Sequence, residues 1–104
     1  MRLWVDDLRP APEGYVWCKS VNEAIIEIKH NEGSVYFGEA EVIELIDIDH
    51  DAGRFVQEGG DYIKLLDWFE ETGRNYPIRI HSANPVGVEN MRRIIERNGW
   101  KEVK

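Results

Sequence analysis

The stretch Ile46-Asp47-Ile48-Asp49-His50-Asp51-Ala52-Gly53 decides the fold. Apolar residues at Ile43, Leu45, Ile46 and Ile48 mark a strand, and three acids and a histidine then fall within five positions. A desolvated carboxylate needs a cation or a set of donors. Charge of this density at the end of a buried strand therefore predicts a site. In open α/β sheets, ligands bind just beyond the carboxyl ends of the strands, so Asp49-His50-Asp51 is expected to form the floor of that site.

Working outward, Leu3-Trp4-Val5 reads as a short strand ending in Asp6-Asp7. Two prolines and a glycine make Leu8 to Gly14 a loop. Tyr15-Val16-Trp17-Cys18 has the β-branched and aromatic character of a second strand. Ser20 and Glu23 form a capping box, opening a helix with Val21, Ala24, Ile25 and Ile28 on its apolar face and an end near Asn31-Glu32-Gly33. Val35-Tyr36-Phe37 is either an extra strand or a hairpin arm. The central strand is expected from about Val42 to Asp49, followed by a flexible connection from Gly53 to Gly60. Asp61 is expected to cap a helix carrying Tyr62, Leu65, Leu66 and Phe69 that ends at Thr72-Gly73. Pro77 to His81 is a strand. Asn84-Pro85 starts a helix, with the asparagine as cap and proline at the first helical position. Val88, Met91, Ile94 and Ile95 form its buried face, Asn98-Gly99 ends it, and Trp100 to Val103 is a last short strand.

Strands alternating with helices imply a parallel sheet joined by right-handed crossovers. That topology gathers three strand ends: Asp6-Asp7, Asp49-His50-Asp51 and His81-Ser82-Ala83-Asn84. The 104 residues form one domain with a modest core. No apolar run approaches bilayer length and the N-terminus lacks a signal-peptide pattern, so a cytoplasmic protein without membrane contact is expected. The formal charge of −7 argues against a non-specific coat for nucleic acid and leaves room for a metal site. Cys18, the single cysteine, excludes an internal disulfide and reads as a packed thiol.

Adjacent carboxylates at Asp6 and Asp7 repel unless a cation sits between them. Oxygen-only ligands favour Mg2+ or Mn2+, with Asp49 as third ligand. A solvated acidic loop is the plainer alternative. Asp51 either supports the cluster from outside or caps the following turn, and Asp47 is expected on the face opposite its even-numbered neighbours and is not counted in the site. His50 and His81 are the candidates for proton transfer, since imidazole titrates near neutrality; either could instead be structural. His30, near a helix end, is explained by the helix dipole. Ser82, Asn84 and the helix start at Gly87 are expected to seat a phosphate on free backbone donors, although Asn84 would cap the helix in any case.

Asp6-Asp7 after the first strand, the aspartate ending the third and Ser82-Ala83 ending the fourth resemble the receiver domain of response regulators. The pairing of Asp49-His50-Asp51 with His81-Ser82-Ala83-Asn84-Pro85 resembles more closely a receiver-derived group, the cyclic-phosphate processing receiver domains. The resemblance implies a reduced flavodoxin-like, receiver-like three-layer fold. Its mostly parallel sheet would have five strands, with the first and fifth helices missing or minimal. It also implies hydrolysis of cyclic phosphate, as 2′,3′-cyclic ends of RNA or cyclic nucleotides, with Mg2+ or Mn2+ held by Asp6, Asp7 and Asp49. Two alternatives stand beside this: a signalling module phosphorylated on Asp49, and a non-catalytic nucleotide- or RNA-binding module. The receiver lysine has only Lys101 and Lys104 as counterparts. Losing both helices would open one sheet face, with Trp4, Tyr15, Trp17, Arg79 and His81 on it and Leu3, Val5, Val16, Ile78 and Ile80 under helices. Such a face suits RNA bases or a homodimer, or is covered by the Val35-Phe37 segment, the dimer being the simpler occupant.

Overall fold

A computed structural model describes residues 1–33, 38 and 41–104. The strand or hairpin arm expected at Val35-Phe37 lies outside the described residues. The elements are β1 (Arg2–Val5), β2 (Tyr15–Cys18), α1 (Val21–Gly33), β3 (Leu45–Ile48), α2 (Ile63–Thr72), β4 (Ile78–Ile80) and α3 (Pro85–Asn98). The strands form one parallel sheet in the order β2-β1-β3-β4. Among the described residues four strands form the sheet, where five were expected. The segment after α3 is reduced to a single bridge between Ile78 and Glu102.

Register sorts the side chains into two faces. Leu3, Ile46 and Ile78 are ladder partners, as are Val5 with Cys18 and Ile48. They are buried together with Ala24 and Ile28 of α1, Leu65, Leu66 and Phe69 of α2, and Met91 and Ile95 of α3 in one core. Truncating any large member, such as Leu66→Ala, is expected to cost about 2–5 kcal/mol. The other ladder, Arg2-Tyr15-Leu45 and Trp4-Trp17-Asp47-Arg79, faces away from the helices. Among the described residues no helix covers that face. The arrangement is thus two-layered where three layers were expected, since the loop between β1 and β2 supplies no covering helix.

Local chemistry explains the helix ends. Ser20 Oγ accepts from the Glu23 N–H at 3.0 Å, as the capping box predicts, although Glu23 reaches back to the Lys19 N–H, one residue earlier than expected. Asn84 Oδ1 accepts from Gly87 N–H at 3.0 Å, and Pro85 fills the first turn. Gly73 and Gly99 close α2 and α3 in the left-handed conformation. Asp61 does not cap α2. Tyr62 occupies that position, and Asp61 Oδ1 accepts instead from the Ala52 N–H at 3.0 Å. The Gly53–Gly60 connection is a run of tight turns, with Phe55 bonded to Ala52 and Glu58 to Phe55, tied to α1 through Asn22 N–H and Glu58 C=O. No helix among the described residues is long and apolar enough to cross a membrane.

Candidate active site

The three strand ends converge as their sequence position predicts. Asp6 and Asp49 are buried at the ends of β1 and β3, and Asp7 is half-buried beside them. Each offers a carboxylate oxygen within 4.8 Å of the others. The donor set is all oxygen and matches a hard divalent cation.

The three acids differ in their surroundings. Burial raises the Asp6 carboxyl, but the Arg9 and Leu8 N–H groups, each 2.9 Å from Oδ1, and His81 beside Oδ2 outweigh it and hold it below the usual range. Asp7 is shifted the other way: burial and the charges of Asp6 and Asp49 push it up, against the opposing pull of its own backbone. A positive charge placed among the three would relieve that repulsion. Asp49 Oδ1 accepts from the His50 N–H at 2.7 Å. Gly53, with φ +55°, leaves room for Asp7: a methyl group there would overlap its Oδ2.

The two histidines occupy unlike settings. His50 Nδ1 lies 2.7 Å from Asp51 Oδ1, and Asn84 Nδ2 donates to the same carboxylate at 3.2 Å. Those bonds pull the Asp51 carboxyl down, His50 more than Asn84, with burial opposing. The His50 ring packs against Gly87, where a Cβ would overlap it. No partner among the described residues engages its Nε2. His81, by contrast, has both nitrogens engaged, Nδ1 at 2.6 Å from Asp47 and Nε2 at 2.9 Å from Asp6. Its ring stacks on Trp4 with centroids 3.8 Å apart and planes within 5°. The expected proton-transfer role therefore suits His50 better than His81.

The expected phosphate seat is partly in use. Asn84 Oδ1 caps α3 at the Gly87 N–H while its Nδ2 donates to Asp51, and the His50 ring fills the space that a Cβ at Gly87 would occupy. Ser82 Oγ accepts from the Asn84 N–H at 3.1 Å, leaving its own proton to donate.

Sequence reasoning missed Asp47, which is buried on the helix-free face and clamps His81. Its parity with Asp49, and its ladder pairing with Trp4 and Arg79, is the signal that places it there. Sequence reasoning placed the loop after β1 but not the contacts that fix it. Arg9 C=O accepts from Trp4 Nε1 at 2.8 Å, and Arg9 Nη1 donates to His81 C=O at 2.7 Å. The loop that stands in for a first helix is thereby pinned over β1 and β4. A cleft lined by Asn31, Val42, Tyr76 and Pro77 lies at the other end of the sheet, away from the acids.

Residues 1–97 match the family model of the cyclic-phosphate processing receiver domain. The chain belongs to that family. No curated protein and no solved structure gives a significant match. The Lys101 C=O accepts from Ile78 N–H, which sets that lysine beside the start of β4, at the opposite end from the acids. Both Lys101 and Lys104 are exposed, and neither forms an ion pair with Asp49.

Proposed function

We propose that this receiver domain is a metal-dependent phosphoesterase that opens cyclic phosphates, 2′,3′-cyclic ends of RNA or cyclic nucleotides. The observation that carries the proposal is His50. One ring nitrogen is held by the Asp51 carboxylate, no described residue engages the other, and His50 directly follows Asp49 of the three-carboxylate cluster in the chain. A general base or acid needs that combination of fixed orientation and a free nitrogen.

Asp6, Asp7 and Asp49 would hold Mg2+ or Mn2+, which when bound supplies an acidified water and a Lewis acid toward a phosphoryl oxygen. Asp51 and Asn84 orient the imidazole. His50 Nε2 accepts a proton as water oxygen bonds to phosphorus, and returns it to the ribose oxygen released when the ring P–O bond breaks. Ser82 Oγ–H donates to a phosphoryl oxygen. His81 and Asp47 hold Asp6 in place, so His81 is a positioning residue in this scheme.

Receiver membership favours a second reading, in which Asp49 accepts a phosphoryl group and signals. Phosphorus NMR of a 2′,3′-cyclic nucleotide with Mg2+ or Mn2+ separates the two. Conversion to a phosphomonoester, lost in His50→Gln and Asp7→Asn, is expected. A lasting phosphoryl adduct on Asp49 after incubation with acetyl phosphate, without turnover, would overturn the enzymatic reading. Nucleotide binding that survives Asp49→Asn without turnover would instead mark a non-catalytic binding module.

A further inference from the structure

The helix-free sheet face carries Arg2, Trp4, Tyr15, Trp17 and Arg79, aligned by strand register. The three aromatic residues are half-buried and Arg79 is exposed. Trp4 meets Tyr15 edge-on at 5.8 Å and stacks on His81 at 3.8 Å. His81 in turn touches Asp6. The aromatic row thus runs without a break into the carboxylate cluster.

Charge on this face opposes that of the chain. The protein has 20 acidic residues against 13 Lys and Arg, yet the face and its upper rim gather Arg2, Arg9, Lys19 and Arg79. Lys19 lies 4.6 Å over the Trp17 ring. Arg2 is paired with Glu44 and Arg9 with Asp6 at 3.9 Å, whereas Arg79 has no partner among the described residues. The acid on the face, Asp47, is buried and engaged by His81. A second copy docked through a two-fold axis would set these cations against one another.

We infer that this face binds single-stranded RNA, stacking bases on Tyr15 and Trp17 and placing phosphates near Arg79 and Arg2. The strand would run toward the acid cluster, where its terminal ribose phosphate sits. A 2′,3′-cyclic phosphate requires ribose, so RNA and not DNA is the polymer. The inference rests on the phosphoesterase reading for the position of the end, and its test is independent of turnover.

The probe is a fluorescent single-stranded oligoribonucleotide with an ordinary 3′-hydroxyl, titrated by anisotropy in EDTA against the full chain. Saturable binding that quenches tryptophan fluorescence is expected. Tyr15→Ala should weaken it roughly tenfold or more, and Arg79→Ala should reduce the salt slope by about 1. Arg79→Glu should lose the oligonucleotide but still convert a cyclic mononucleotide. Binding unaltered by both Arg79 variants, no binding by the wild type, or a stable dimer dispersed by Arg79→Glu would overturn the inference. RNA binding without cyclic-nucleotide turnover would sustain the face and sink the catalytic reading.

Discussion

Asp47 Oδ1 and His81 Nδ1 are 2.6 Å apart in the interior of the helix-free face, 34 positions apart in sequence. With Asp6 on the other nitrogen, this imidazole has a carboxylate at each end. A neutral ring can donate to one of them only, whereas an imidazolium donates to both. The pair fastens the end of β4 to the middle of β3, and His81 carries that restraint to Asp6.

Removing the clamp should therefore be felt as stability. Asp47→Ala leaves His81 with a single carboxylate partner and opens space under Trp4. A loss of about 1–3 kcal/mol in urea unfolding is expected, with Asp47→Asn milder because it still accepts a hydrogen bond. A change below about 0.5 kcal/mol would mean that the contact is incidental.

Gly87 is the second position where structure and chemistry meet. Alanine is the better helix former, but its methyl group would overlap the His50 ring. Gly87→Ala should keep a native circular dichroism spectrum while cyclic-phosphate turnover falls by roughly 10²–10⁴, the span expected for a displaced acid–base group. Normal turnover in this variant would remove His50 from the mechanism.

Asp7 links the site to pH. Its carboxyl is raised in the folded, metal-free protein by burial and by Asp6 and Asp49. Between the ordinary carboxylate value and the raised one, the folded state holds more proton than the unfolded state. Stability then falls as pH rises through that window. Asp6 has the opposite sign, with stabilisation present above its ordinary value and lost as pH falls through its lowered one. Asp7→Asn should stabilise the metal-free protein at neutral pH by roughly 0.5–2 kcal/mol and abolish its response to Mg2+. Calorimetry with and without the ion checks both halves.

Cys18 is buried at the end of β2, and burial, aided by Glu27 and Glu23, pushes its thiol up to about 12. The thiolate is the reactive form. Iodoacetamide at pH 8 should therefore label the chain only after denaturant is added, as mass spectrometry would report. Rapid labelling of the folded chain would contradict the packing of β2 on α1.

Much of this was legible in the residues. The β1, β2 and β4 strands, the three helices, the Asn84-Pro85 cap and the meeting of Asp6, Asp7 and Asp49 follow from periodicity, caps and parallel topology. Asp47 was not, because alternation gives a residue's face but not which distant side chain covers it. The Asp61 cap failed for a related reason: its carboxylate had a tertiary donor in Ala52 that local pattern does not reveal. The fifth strand expected at Trp100 to Val103 is reduced to the Ile78–Glu102 bridge. At Gly87 the neighbour that fills the space of a side chain is the His50 ring, a tertiary contact that local pattern does not reveal.

The premise under all of this is that three carboxylates from two strand ends act as one cation site. Carbon NMR of the aspartate side chains during Mg2+ titration tests it most directly. The carboxyl signals of Asp6, Asp7 and Asp49 should shift together and saturate at one ion per chain, while half-buried Asp67 of α2 stays still. Signals that drift without saturating, or that move no more for those three than for Asp67, would contradict it.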